Sequence, residues 1–141
     1  MNRKRVLITL AVVSLLIIAL AVGAFGFRSA NNGPGRIELS ATELDLGTVG
    51  NSGPVSRVLQ IKNAGEGRLE ITGVSTSCGC TTAEVSSRNL APGEVTDLTV
   101  TYDPRVHDGD TGQFVRQVYI RSDDPDTPEA SLTMQVTVVE D

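Results

Sequence analysis

The sequence predicts an all-β domain: an antiparallel β-sandwich of about seven strands over residues 36–141, preceded by one apolar N-terminal helix over residues 1–27. Three observations carry that prediction. Side chains alternate apolar and polar with a period of two in segment after segment. Turn-forming clusters recur at short intervals between those segments. No stretch after residue 28 shows the 3.6-residue period of an amphipathic helix.

The N-terminal element comes first. Arg3, Lys4 and Arg5 precede an apolar run from Val6 to Phe27, interrupted only by Thr9, Ser14, Gly23 and Gly26. As a helix, those 22 residues reach about 33 Å, enough to cross a hydrocarbon core of about 30 Å. Two readings follow. One is an uncleaved signal-anchor, a transmembrane helix at residues 6–27 with its N-terminus in the cytoplasm, because the positive charges precede the span. The other is a signal peptide cleaved near Ala19-Leu20-Ala21 or Val22-Gly23-Ala24, which releases a periplasmic or secreted domain. The run continues past both sites, which favours the anchor. Either way residues 28–141 lie outside the cytoplasm.

Residues 28–35 (Arg-Ser-Ala-Asn-Asn-Gly-Pro-Gly) carry no periodicity and several breakers, the composition of a short flexible linker. Ile37, Leu39, Leu44 and Leu46 predict one or two edge strands. Leu59 with Ile61, and Leu69 with Ile71, supply two more, and Gly73 breaks the phase before Val74, which predicts a bulge. Leu98, Val100 and Tyr102 oppose Asp97, Thr99 and Thr101. Phe114, Val118 and Ile120 form a row that Arg116 interrupts. Leu132, Met134, Val136 and Val138 oppose Thr133, Gln135 and Thr137. The turns between them are Asn51-Ser52-Gly53-Pro54, Asn63 to Gly67, Ala91-Pro92-Gly93-Glu94, Asp103-Pro104, Asp108-Gly109-Asp110 and Asp123 to Pro128. Strands with one apolar face must be covered, and a second sheet is the simplest cover. With no tryptophan and only two cysteines, two positions apart, the Cys…Trp…Cys framework of antibody domains is absent.

Charge narrows the partners. The chain holds 17 acidic and 12 basic residues, and removing Arg3, Lys4 and Arg5 leaves the exported part with eight excess negative charges. Such a module does not attract a phosphate backbone, so nucleic acid is not an expected partner.

The chemistry rests on Cys78 and Cys80 in Ser77-Cys78-Gly79-Cys80-Thr81. On a strand, positions i and i+2 share a face. Four arrangements stay open: a disulfide in the oxidising exterior, a thiol redox pair, a soft-metal site suited to Cu(I), and two reduced cysteines packed as small hydrophobes. Zinc wants four ligands, and His107 is the only nitrogen donor. Met134 belongs to a core row and His107 to a turn. With a single histidine, a Ser-His-Asp or Cys-His triad would have to be built on His107 with no flanking signature. Asp108, Asp110, Asp123, Asp124 and Asp126 lack the spacing of a calcium loop and suit acidic turns better. No glycine loop has phosphate-cradling form. No catalytic residues and no cofactor are expected.

Leu46-Gly47-Thr48-Val49, Lys62-Asn63-Ala64-Gly65, Leu69-Glu70-Ile71, Ser77-Cys78-Gly79-Cys80-Thr81, Ala91-Pro92-Gly93-Glu94 and the late run Arg121 to Val136 together resemble the family termed domain of unknown function 1573, over roughly residues 37–138. The run Gly50 to Ile61 lacks the aromatic residue often seen on that strand in relatives. The resemblance implies an immunoglobulin-like sandwich related to PapD-like and ASH modules, which present surfaces within larger assemblies; it implies no activity. The expected function is therefore a membrane-anchored extracytoplasmic module with a non-enzymatic protein-binding or structural role toward an envelope protein. The alternative is a thiol redox or Cu(I)-handling protein using Cys78 and Cys80.

Overall fold

The computed structural model describes residues 33–141, so the expected helix at 1–27 and most of the expected linker lie outside the described residues. Nine strands follow in order: β1 (Ile37–Leu39), β2 (Glu43–Gly50), β3 (Val55–Asn63), β4 (Leu69–Thr76), β5 (Thr81–Val85), β6 (Asn89–Leu90), β7 (Val95–Tyr102), β8 (Gly112–Ser122) and β9 (Glu129–Val139). A 3-10 turn, Pro104–His107, links β7 to β8. The strands form a four-stranded sheet, β1-β3-β7-β5, and a five-stranded sheet, β2-β9-β8-β4-β6.

The apolar rows read from the sequence are the core. Leu98, Val100 and Tyr102 of β7 are buried, as are Leu132, Met134, Val136 and Val138 of β9, Val118 and Ile120 of β8, and Leu69 and Ile71 of β4. The expected bulge is present: Ile71 pairs with Ser122 but Gly73 with Arg121, so two residues of β4 oppose one of β8. A second bulge lies in β2 between Asp45 and Thr48. Gly47 adopts φ 73° there, a conformation that glycine reaches without the Cβ penalty. The Asp45 carboxylate accepts the Gly47 N–H at 2.7 Å.

Two expectations need correction. The strands number nine rather than about seven, because β5 offers only Ala83 and Val85 as apolar residues and β6 has two residues, so neither shows a clear row. The sheets are not wholly antiparallel either, since β2 runs parallel to β9. Only Ser40 to Thr42 separate β1, which pairs with β3 in one sheet, from β2, which pairs with β9 in the other, so the chain changes sheets across this link and β2 meets β9 pointing the same way.

The final residues of the expected linker are held by the domain. Pro34 C=O accepts the Gly67 N–H at 3.2 Å, and Arg36 C=O accepts that of Ala64 at 2.8 Å. A Cβ on Gly67 would collide with the Gly33 carbonyl, so this approach requires glycine. Asn63, fully buried, ties the region together. Its amide nitrogen donates to the carbonyls of Gly67 (2.8 Å) and Leu90 (3.0 Å). Its amide oxygen accepts the N–H groups of Arg36 (3.1 Å) and Gly65 (2.9 Å).

Candidate functional site

The chain leaves the five-stranded sheet after Thr76 and enters the four-stranded sheet at Thr81, so Ser77-Cys78-Gly79-Cys80 must carry it across the end of the sandwich. Both ends are pinned. Ser77 N–H donates to Gln117 C=O at 2.9 Å and Ser77 Oγ accepts the Gln117 N–H at 2.9 Å, extending the β4–β8 ladder. Asp103 N–H donates to Cys80 C=O at 2.8 Å, opening the β5–β7 ladder. Inside the turn, the Thr76 hydroxyl lies within hydrogen-bond distance of the Cys78 (3.0 Å) and Thr81 (2.8 Å) carbonyls.

Cys78 and Cys80 are joined as a disulfide, with their Cα atoms 5.3 Å apart. They sit in the turn rather than side by side on a strand, which corrects the picture of a shared strand face. Closing a three-residue loop removes about 1.6 kcal/mol of unfolded-chain entropy, against about 3 kcal/mol for a 15-residue loop. As a staple the bond is weak. Its two sulfurs have different surroundings: Cys80 is 1% exposed, while Cys78 is only partly buried.

Arg116 explains the interruption in the β8 row. It occupies an inward position between Phe114 and Val118, and its Nε donates to Cys80 Sγ at 3.2 Å. The guanidinium lies over the Phe114 ring, 5.1 Å from the centroid, and also donates to Val115 C=O at 2.9 Å. Among the described residues no carboxylate forms an ion pair with it. The Thr81 hydroxyl lies 3.5 Å from Cys78 Sγ and 3.8 Å from Cys80 Sγ; neither sulfur carries a proton, so the hydroxyl is the donor. Tyr102, buried nearby, has its phenol pushed up by burial, with the Arg116 charge acting the other way and Asp110 adding to the rise.

The other candidate residues are dispersed. Met134 is fully buried in the core, opposite Arg116 in the β8–β9 register. His107 is exposed on the 3-10 turn. Asp108 caps that turn in a left-handed conformation, and Asp126 pairs with Arg36. Asp123 accepts the Glu70 N–H at 2.8 Å. Asp124, 3% exposed, accepts the N–H groups of Ile37 (2.8 Å), Asp126 (2.9 Å) and Thr127 (3.2 Å). Burial alone would raise its carboxyl, but those three bonds, with Arg36 nearby, hold it below the usual carboxylate range. Among the described residues no group of three His, Cys, Asp or Glu gathers to hold a metal ion.

A second feature begins where the disulfide turn ends. β5 is the edge of its sheet, paired only with β7. Cys80 C=O and Ser86 N–H both bond to the β7 side. By antiparallel alternation, the N–H and C=O groups of Ala83 and Val85 point away from the sheet. Sequence reasoning saw Arg116 only as a break in the β8 row, and it missed Thr81 and the identity of β5 as this edge. The only signal was a charged residue in the inward phase of an otherwise apolar row.

The fold is shared with solved proteins. A protein of unknown function from Porphyromonas gingivalis W83 is 27% identical, with TM-score 0.68, and the match covers 80% of this chain and 50% of that one. The VesB protease of Vibrio cholerae is 17% identical, with TM-score 0.57, over 73% of this chain and 31% of the protease. The seventh PapD-like (ASH) domain of human CEP192 is 10% identical, with TM-score 0.54, over 74% of this chain and 86% of that one. This chain therefore spans half or less of the first two, and the two likenesses at 17% and 10% identity show the sandwich alone. No curated protein matches the chain in sequence. Residues 37–138 match the family described as "Protein of unknown function (DUF1573)", and by that match, covering most of the sequence, the chain belongs to this family.

Proposed function

We propose that the chain is a membrane-tethered, non-enzymatic module that binds an envelope protein outside the cytoplasm by accepting one of its strands along β5. The observation that carries this reading is the open β5 edge, where Ala83 and Val85 present unpaired backbone groups. An extended peptide adding there gains main-chain hydrogen bonds, and pockets for alternate side chains set its specificity. Natural proteins usually blunt such edges with short strands, charge or proline. β5 has five residues, one of them charged (Glu84), and no proline. The apolar run at residues 6–27 supplies the tether, and the acidic surface favours a partner that is not nucleic acid.

The test is site-specific photocrosslinking of the full chain in intact cells. A probe at Glu84 on β5 yields a discrete protein adduct, and Ala83→Pro, which removes an outward N–H from an edge strand, abolishes it. A probe at Gln135, which projects from the interior strand β9, yields no such adduct. An adduct at Glu84 that survives Ala83→Pro, or none at all, overturns strand addition.

A further inference from the structure

We propose that Cys78–Cys80 is an exchangeable disulfide in which Cys78 Sγ is the sulfur attacked and Arg116 holds the Cys80 thiolate that leaves; this stands independently of the β5 reading. Arg116 is half-buried in an otherwise apolar row; it stacks on Phe114 and donates to Val115 C=O, but among the described residues no carboxylate pairs with it, so part of its desolvation cost goes uncompensated. A disulfide sulfur is a weak acceptor and repays little of that cost. A thiolate at the same position would be the missing counter-ion, 3.2 Å from Nε. The Thr81 hydroxyl lies between the two sulfurs, 3.5 Å from Cys78 Sγ and 3.8 Å from Cys80 Sγ, so its single proton is within reach of the Cys80 thiolate once the bond breaks. The two sulfurs also differ in access: Cys78 is open enough to be approached, whereas Cys80 is sealed. A leaving thiolate of lower pKa departs faster, and a cation beside it lowers that pKa.

The exchange balances with a partner that carries two thiols. One partner thiolate attacks Cys78 Sγ; a sulfur–sulfur bond forms between them, and the Cys78–Cys80 bond breaks with its electron pair on Cys80. The partner's second thiolate then attacks the partner sulfur of the mixed disulfide. Cys78 leaves as a thiolate and takes a proton from water. The partner is oxidised by two electrons to a disulfide, and the pair is reduced to Cys78 thiol and Cys80 thiolate. Every step runs in reverse when the partner is the oxidised one.

The full chain in detergent is equilibrated in graded mixtures of reduced and oxidised dithiothreitol, and free thiols are counted by alkylation and intact mass. In wild type, R116K and R116Q, circular dichroism reports the fold throughout. The pair is expected to reduce while the sheet signal persists. R116Q is expected to lower the equilibrium constant for reduction about tenfold, a shift of about 30 mV for this two-electron couple, and R116K to stay within about threefold of wild type. A brief pulse of glutathione on wild type, quenched in acid, is expected to place the mixed disulfide on Cys78. An R116Q chain that folds and titrates like wild type overturns the proposal. So does glutathione on Cys80, or reduction only upon unfolding. The glutathione mapping needs no variant, so it decides even if R116Q does not fold.

Discussion

Replacing Asn63 by alanine tests how the N-terminal end of the sandwich is held. The side chain satisfies four backbone groups at 2.8–3.1 Å. Two of them, the carbonyls of Gly67 and Leu90, belong to buried residues and have no route to water once the amide is gone. At about 1–3 kcal/mol per stranded group, their loss costs about 2–6 kcal/mol. The N–H groups of Arg36 and Gly65 belong to more open residues and regain water, so they add little. Against a typical domain stability of 5–15 kcal/mol this is a large fraction. Urea unfolding of residues 32–141, followed by circular dichroism, should show the midpoint falling by roughly 1–4 M at an unchanged slope. Asn63→Asp should be worse than alanine at neutral pH. It keeps an acceptor for Arg36 and Gly65 but sets a carboxylate against two carbonyls in a buried place. An alanine variant within 1 kcal/mol of wild type, or an aspartate variant equal to it, would refute the reasoning.

Three further outcomes are expected. The Asp124 carboxyl lies below its ordinary value in the folded state, so its contribution is fully present above the unfolded value of about 3.9. That contribution is lost as pH falls through the folded value, and thermal melts between about pH 6 and pH 2 should show Asp124→Asn losing less stability across that window than wild type. Gly47→Ala meets no neighbouring atom, so its cost is the backbone penalty of the left-handed conformation alone, about 1–2 kcal/mol in urea unfolding. Reducing the Cys78–Cys80 bond should leave the domain folded and lower its stability by at most about 1.6 kcal/mol, because the loop it closes is so short.

Much of the fold was legible because burial in a two-layer sandwich imposes a period of two. The rows Leu98-Val100-Tyr102 and Leu132-Met134-Val136-Val138 face inward as read, and the phase break at Gly73 is a bulge. What escaped the sequence depends on long-range pairing. Asn89-Leu90 is a strand only because β4 lies beside it, and the parallel contact of β2 with β9 joins residues about 90 positions apart. The site was legible in half. Cys78 and Cys80 announce themselves by type, whereas Arg116 is 36 residues beyond Cys80 and reaches it only because β8 runs next to β4. The role of Asn63 was hidden for the same reason: its four partners come from three separate segments.

The way residues 35–37 are fastened also decides how the domain meets mechanical force. A pull on the N-terminal side passes the Pro34–Gly67 bond and then meets Arg36 and Ile37, whose N–H groups are gripped by the Asn63 and Asp124 side chains at the head of the β1–β3 ladder. Those two grips attach the incoming chain to opposite layers, since Asn63 ends β3 of one sheet and Asp124 follows β8 of the other. Tension is thereby split between both sheets instead of peeling a single edge, as a rope made fast to two cleats spares either one.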